Sequence, residues 1–244
     1  MIINPAPPAD WKALQQETAA ILRECGLSVE VEKEITTARD KVVVDVYADD
    51  QTRQPHNVYL CECKHWRKKV PKTVVHAFRS VMVDAGANVG FVISSAGFQA
   101  GAFAAAQNTN VRLVTWDEFQ ATFAARWLES YFKPVLKAEC DLLVSYTEPL
   151  ACPRAAENLS PAGNKRFVEL HDYWQDVAFF ALHQYLPLQG REITSLPVRG
   201  TALDMPGLPD DIRDAMSARG LLDAIVSNTH RGLAEFHELL RTGG

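Results

Sequence analysis

The sequence predicts an α/β fold with a mixed central sheet flanked by helices, followed by a mostly helical C-terminal region. Apolar and polar residues alternate over Leu27–Glu34, which is typical of a strand with one solvent-exposed face. Val42–Ala48 is almost continuously apolar, which indicates a strand covered on both faces. Val89–Ser94 and Val111–Val114 are short apolar strands that each follow a helical segment, so parallel neighbours with right-handed crossovers are expected.

Capping and turn signals place the remaining elements of the N-terminal part. Asp10 is a suitable N-cap for a helix over Trp11–Cys25, and Gly26 ends that helix. The polar segment Asp49–Asn57 predicts a hairpin that leads into a third strand over Val58–Trp66. Further helices are expected over residues 71–86, 98–107 and 117–137.

The character of the sequence changes after about residue 140, so we expect two domains, over residues 1–139 and 140–244. Leu142–Ser160 contains two prolines and no clear period, which indicates a linker. Lys165–Leu186 is a helix rich in aromatic residues, a pattern compatible with a core or with an interface. Two short helices are expected to follow, over residues 211–224 and 229–241. The role of this region is not evident from its sequence.

Composition indicates an ordinary globular protein and narrows the function classes. The 244 residues are 47% hydrophobic and 23% charged, with a net charge of −5, so general coating of DNA is disfavoured while a local basic groove remains compatible. Five scattered cysteines form no disulfide framework, which favours a reducing cytoplasm. Cys61 and Cys63 lack the second ligand pair of a structural zinc site. No segment has membrane-spanning length.

Three separate segments each place a carboxylate where the hydrophobic pattern predicts burial. Asp45 interrupts the apolar second strand, and Glu62 ends the apolar face of the third strand, two residues before Lys64. Glu17 falls on the expected inner stripe of the first helix, which consists of Leu14, Thr18, Ile21, Leu22 and Cys25. Buried charges are costly unless they are paired or bind a metal, so the pattern predicts a divalent-metal site. Taken alone, Glu62 and Lys64 are equally compatible with an ordinary exposed ion pair.

Oxygen ligands from these segments suit Mg²⁺, and the backbone carbonyl of Cys63 is a further expected ligand. Such a site matches the needs of phosphodiester hydrolysis, in which negative charge builds on the phosphate. Lys64 would polarise the attacking water or neutralise that charge. The sequence contains neither a Gly-x-Ser-x-Gly elbow nor a phosphate-cradling Gly-x-x-x-x-Gly-Lys loop.

A basic segment directly follows Lys64. Its expected phosphate-binding residues are His65, Arg67, Lys68, Lys69 and Lys72, although a solvated basic loop explains them equally well. Trp66 either stacks on a base or packs beneath this loop. Gln99 and Ser95 flank the start of a helix whose N-terminal amides suit a phosphate, and helix capping by Ser95 is the alternative.

The order Glu17, Asp45, Glu62-Cys63-Lys64 resembles the PD-(D/E)xK nuclease superfamily, and specifically its Mrr-like restriction endonuclease family. The similarity spans about residues 10–120, because residues 86–99 and 111–117 resemble the later strand–helix–strand segment of that family. One departure is Val44, which stands where the superfamily's name has proline. The resemblance implies a restriction-endonuclease-like fold in which Asp45 and Glu62 bind the metal, Lys64 is the catalytic lysine and Glu17 is the helix carboxylate.

The resemblance further implies a cytoplasmic, Mg²⁺-dependent DNA endonuclease of restriction or anti-phage defence, with Mn²⁺ as an alternative metal. DNA is then the expected partner and a membrane is not. A homodimer, or a larger defence complex joined through the C-terminal region, is compatible with cutting both strands from one site per chain. The alternative function is a catalytically silent nuclease-like scaffold that binds nucleic acid or a protein partner.

Overall fold

The computed structural model describes residues 2–37, 41–52, 54–148, 156, 159–186 and 195–243. The chain divides into two compact units: residues 6–131 form the body of the N-terminal unit, and residues 132–244 with residues 3–5 form the C-terminal unit. The division expected after residue 139 falls inside a helix, Lys133–Thr147, so the structure places it at an earlier position. The reason is that this helix packs against later helices of the C-terminal unit.

A five-stranded sheet forms the centre of the N-terminal unit, with the strands in chain order across it. The strands are β1 (Ser28–Thr36), β2 (Lys41–Asp50), β3 (Asn57–Lys64), β4 (Val89–Ser94) and β5 (Val111–Val114). Strands β1, β2 and β3 are antiparallel neighbours, whereas β3, β4 and β5 are parallel. The predicted α/β fold with a mixed sheet and a β2–β3 hairpin is therefore confirmed.

Helices cover both faces of this sheet. They are α1 (Trp11–Glu24), α2 (Lys72–Asp84), α3 (Ala100–Ala106) and α4 (Trp116–Trp127). On one face, Phe91 of β4 packs against Phe119 and Phe123 of α4. The other face packs against α2, and a Cβ atom at Gly90 would lie 2.3 Å from the sulfur of Met82. Glycine at this position therefore lets α2 approach β4 closely.

The described residues of the C-terminal unit form four helices: α5 (Lys133–Thr147), α6 (Pro161–Tyr185), α7 (Asp210–Arg213) and α8 (Ala218–Thr242). A π-helical turn, Leu128–Phe132, lies at the division between the units. Side chains from α5, α6 and α8 meet in an aromatic cluster of Tyr146, Phe167 and Phe236. This unit is mostly helical in its described residues, as predicted.

Two details of the C-terminal prediction are wrong. The expected linker begins later, because α5 continues to Thr147 with Leu143 and Val144 buried; Pro149 and Pro153 lie outside the described residues. The two helices expected over residues 211–224 and 229–241 are instead a four-residue helix, α7, and one long helix, α8. Asn228 lies within it, where its side-chain amide donates to the carbonyl of Ala224 and to the carboxylate of Asp211.

The aromatic residues of α6 divide between two environments. Phe167, Trp174, Phe180 and Tyr185 are buried in the C-terminal unit, whereas Tyr173 and Phe179 are exposed. The core interpretation therefore holds for most of the stripe. In the parts of the chain that the structure describes, no helix combines the length and the hydropathy needed to cross a bilayer.

Candidate active site

The candidate site lies where strands β2 and β3 separate. Their antiparallel pairing runs from Asp50 and Asn57 to Val46 and Cys61, and it ends there. Strand β3 continues its parallel pairing with β4 as far as Lys64. Asp45 and Glu62 are thus the first residues beyond the end of the β2–β3 pairing, each on its own strand.

Both carboxylate oxygens of Asp45 are held in place. Oδ2 accepts a hydrogen bond from the backbone N–H of Cys63 at 2.7 Å, and Oδ1 accepts one from the side-chain amide of Gln15 at 2.7 Å. Where two strands separate, a backbone N–H loses the carbonyl acceptor of the neighbouring strand and needs another acceptor. The side chain of Asp45 provides it, so the carboxylate is fixed between β3 and α1.

Glu62 and Lys64 form an ion pair between Oε1 and Nζ. Their side chains are only 23% and 18% exposed, so this is not the ordinary exposed pair that the sequence also allowed. Burial raises the pKa of Glu62, the neighbouring charge of Asp45 raises it further, and Lys64 acts in the opposite direction. The two carboxylates are therefore close enough to interact, with the lysine beside them.

Gln15 of α1 reaches this site, and it is more deeply buried than Glu17 of the same helix. Gln15 is 4% exposed and belongs to the buried face of α1, whereas Glu17 is half-buried and is not among that face's buried residues. Leu14 and Thr18 share the buried face with Gln15. In the sequence, Gln15 is a polar amide on an otherwise apolar helix stripe. It carries no charge, so attention to carboxylates alone overlooks it.

The residues at this position fit a hard divalent cation. Asp45 and Glu62 offer carboxylate oxygens, and the amide of Gln15 and the backbone of Cys63 offer carbonyl oxygens, the ligand type that Mg²⁺ prefers. Within the described ranges, no group of three or more His, Cys, Asp or Glu side chains is placed to hold a metal ion. A cation here would use the carboxylates of Asp45 and Glu62 with the carbonyl oxygens of Gln15 and Cys63, and water would complete its coordination.

The predicted phosphate-binding residues lie on and beside the segment 65–72. Arg67, Lys68, Lys69 and Lys72 are exposed, and His65 is half-buried. Val70 is buried and anchors the segment: its N–H donates to the carbonyl of Gly97 at 2.9 Å, and its carbonyl accepts from the N–H of Gln99 at 3.0 Å. The exposed Gln99 is thereby brought next to this basic segment.

Ser95 has a contact that sequence reasoning missed. Its hydroxyl donates to the carbonyl of Trp66 at 3.0 Å, and its N–H donates to the carbonyl of Lys64 at 3.2 Å. The alternative that Ser95 caps the following helix is wrong, because α3 begins at Ala100 with Gln99 as its N-cap. Ser95 instead fixes the backbone on which Lys64 and Trp66 are carried.

A family model matches the part of the chain that contains this site. Residues 8–123 match the Mrr_cat family model, described as restriction endonuclease. This part of the chain is a Mrr-type restriction endonuclease domain. The matched part of the Mrr domain contains Gln15, Asp45, Glu62 and Lys64, and its mixed sheet is the restriction-endonuclease-like fold that the resemblance implied.

Other comparisons add little to this assignment. No curated protein matches the chain. A crystal structure of a protein of unknown function, AF1548, has 14% sequence identity to it and a TM-score of 0.39, covering 70% of this chain and 92% of the other.

Proposed function

We propose that the Mrr domain is a divalent-metal-dependent DNA endonuclease that uses Mg²⁺, or Mn²⁺ in its place. Nuclease activity follows from the family, and the observation that supports the finer assignment is the position of Asp45. Its carboxylate is held beside the Glu62–Lys64 pair at the point where β2 and β3 separate. Two carboxylates next to an amine supply the groups that phosphodiester hydrolysis requires.

In this proposal Asp45, Glu62, the carbonyl of Cys63 and the amide of Gln15 hold the cation. A bound Mg²⁺ would stabilise the negative charge that builds on the phosphate during hydrolysis. Gln15 would act in addition as a positioning residue, because its amide fixes one oxygen of Asp45. Glu17, the helix carboxylate that the resemblance implies, is proposed as a further ligand and catalytic group from α1.

Lys64 is the proposed catalytic cation. Its ammonium group lies against Glu62 and is mostly buried, so its charge acts where little water screens it. It would donate hydrogen bonds to a phosphate oxygen and to the attacking water, thereby orienting the water and offsetting the developing charge.

DNA would bind through a local basic surface rather than through the charge of the whole chain. His65, Arg67, Lys68, Lys69, Lys72 and Gln99 are the proposed phosphate contacts. The net charge of −5 makes binding elsewhere on the molecule unfavourable.

The biological setting is proposed from family analogy alone. A restriction or anti-phage role in the cytoplasm suits the Mrr domain. The C-terminal unit is proposed to be a separate functional region that joins two copies, or joins this chain to a larger defence complex.

The test uses purified full-length protein and plasmid DNA with Mg²⁺, with Mn²⁺ or with EDTA. We expect nicking or cutting that requires the metal and falls at least about a hundredfold in Asp45→Asn, Glu62→Gln and Lys64→Met, the loss typical of removing a charged group from a catalytic site. Glu34→Gln, an exposed carboxylate of β1, is the control. Cleavage that survives all three site changes would exclude the proposed mechanism.

A catalytically silent scaffold is the second candidate. It is favoured by the pairing of Glu62 with Lys64 and by the two hydrogen bonds of Asp45, which satisfy these charges without a metal. Calorimetry with Mn²⁺ separates the two functions: the nuclease should bind the ion and lose that binding in Asp45→Asn, whereas the scaffold should show none.

A further inference from the structure

A groove of about 330 Å³ lies beside Glu62 and Lys64 in the N-terminal unit. The start of β2 contributes residues 42–44 to its wall, and α2 contributes Val74, Phe78 and Val81. Trp66 closes one side. Apart from Glu62 and Lys64, the side chains that line the groove are apolar. A site that bound only a phosphate and a cation would not need this apolar lining.

We propose that this groove receives one unstacked base of the strand that is cut, so that the enzyme prefers segments of DNA that are already unpaired. The inference rests on the proposed nuclease function and names the substrate class of the same site.

The exposure of the lining is the first support for this inference. Val43 is 58% exposed and Trp66 is 44% exposed, although both flank a site built for charged groups. Exposed apolar surface next to a site usually marks binding of an apolar group. The sugar–phosphate backbone is charged, whereas the faces of a base are apolar and aromatic, so the base is the part of a nucleotide that suits this wall.

Trp66 is placed as a stacking surface. Its backbone carbonyl accepts from the hydroxyl of Ser95 at 3.0 Å, so the main chain that carries the indole is fixed. The ammonium group of Lys64 lies 5.4 Å from the centre of the indole ring. A half-exposed indole on a fixed backbone loses little conformational entropy when a base stacks on it.

The groove shares Glu62 and Lys64 with the catalytic site, and this determines which base of the strand would occupy the groove. A base in the groove belongs to a nucleotide next to the phosphate that Lys64 faces, and the strand on one side of it would continue over the exposed Arg67, Lys68 and Lys69. The volume is near the lower end of ligand sites, on the order of 300–1,000 Å³, and suits a single base. In a duplex the faces of each base are covered by its neighbours, so a paired base must first be unstacked and unpaired, which favours DNA that is already single-stranded.

Binding of fluorescently labelled DNA to the full chain tests the inference, with Ca²⁺ replacing Mg²⁺ to hold the oxygen ligands. We expect a 20-nucleotide single strand to bind at least about tenfold more tightly than the duplex of the same sequence. Trp66→Ala should raise the single-strand Kd by about five- to 150-fold, the range for losing one stacked base. Trp66→Phe should retain most of the affinity, and Trp11→Ala, an exposed tryptophan of α1, is the matched control.

A single 2-aminopurine moved along the strand gives a second readout. Its fluorescence should be quenched at one position, and Trp66→Ala should abolish that quenching while thermal melting shows a folded protein. Equal affinity for single strand and duplex, or no effect of Trp66→Ala, would overturn the inference even if duplex DNA is cut. Loss of self-association in Trp66→Ala with unchanged DNA affinity would instead assign the groove to contact between copies. Quenching without any Mg²⁺- or Mn²⁺-dependent cleavage would retain base binding and reject the nuclease function.

Discussion

The backbone N–H of Cys63 donates a 2.7 Å hydrogen bond to the carboxylate of Asp45, just beyond the last paired residues of β2 and β3. A side chain thus replaces the backbone acceptor that a continued ladder would have supplied. The same carboxylate accepts from Gln15, so α1, β2 and β3 converge on one group. Changes at this point should affect metal binding and cleavage together.

Gln15 and Gln16 provide a direct comparison within one helix. Gln15→Ala should lower metal-dependent cleavage by about ten- to a hundredfold, the usual effect of losing a group that orients a metal ligand. Gln16→Ala should change it by less than about threefold, because the side chain of Gln16 is exposed whereas that of Gln15 bonds Asp45. Cleavage rates of the two variants, measured across a range of Mn²⁺ concentrations, check this prediction. Equal losses in the two variants would contradict the proposed role of Gln15.

The pH dependence of metal binding should report Glu62. Its pKa is raised above the ordinary glutamate value near 4.5 by burial and by Asp45, while Lys64 lowers it. Glu62 must be ionised to bind a cation, so affinity for Mn²⁺ should be lost on acidification at a higher pH than for an ordinary glutamate. In Lys64→Met the opposing charge is absent, so the midpoint of this loss should move to still higher pH.

Calorimetric titration with Mn²⁺ between pH 4 and pH 8 measures that midpoint, and Lys12→Met, an exposed lysine of α1, serves as the control. An unchanged midpoint in Lys64→Met would show that Glu62 and Lys64 are not coupled in solution.

Asp50 should contribute strongly to stability. Its buried carboxylate forms a two-bond pair with Arg126 of α4, with Nη2 to Oδ1 at 3.0 Å and Nη1 to Oδ2 at 2.5 Å. The hydrogen bond from Arg126 holds the pKa of Asp50 well below its usual range. A carboxylate with a lowered folded-state pKa stabilises the fold above its unfolded pKa of about 3.9, and this contribution is lost as the pH falls through the folded value.

Asp50→Asn should therefore reduce the free energy of unfolding at pH 7 by about 2–4 kcal/mol, because it leaves Arg126 without its charged partner. The difference from the wild-type protein should shrink below about pH 4. Urea denaturation at several pH values measures both effects. Glu34→Gln breaks the exposed pair with Lys41 and should cost less than about 0.5 kcal/mol. Equal losses in the two variants would contradict the importance of burial here.

Periodicity and chemistry were sufficient to predict the N-terminal fold, and the structure brings together three charged side chains that the sequence singled out. Asp45, Glu62 and Lys64 stand out because each places a charge on an apolar strand, where burial is costly. Gln15 did not stand out, since an amide on an apolar helix stripe carries no charge. Adjacent helix positions differ by about 100° in direction, so Gln15 and Glu17 lie far apart around the α1 axis.

Tertiary contacts explain what the sequence did not predict in the C-terminal unit. Asn228 resembles a turn residue, but its amide finds acceptors on Ala224 and Asp211 and so remains inside α8. Gly232, also in α8, faces the indole of Trp174. A Cβ atom at this position would lie 2.9 Å from that ring, so glycine lets the two pack closely. Both residues satisfy requirements of the assembled unit that no local pattern displays.

Ser95 separates the position of the reacting groups from the segment that follows Trp66. By bonding the carbonyls of Lys64 and Trp66 from the end of β4, it keeps the lysine in position whatever follows Trp66 along the chain. Substitutions at residues 67–69 should therefore leave the reacting groups in place. An engineered variant could then change the nucleic acids that it accepts while keeping its chemistry.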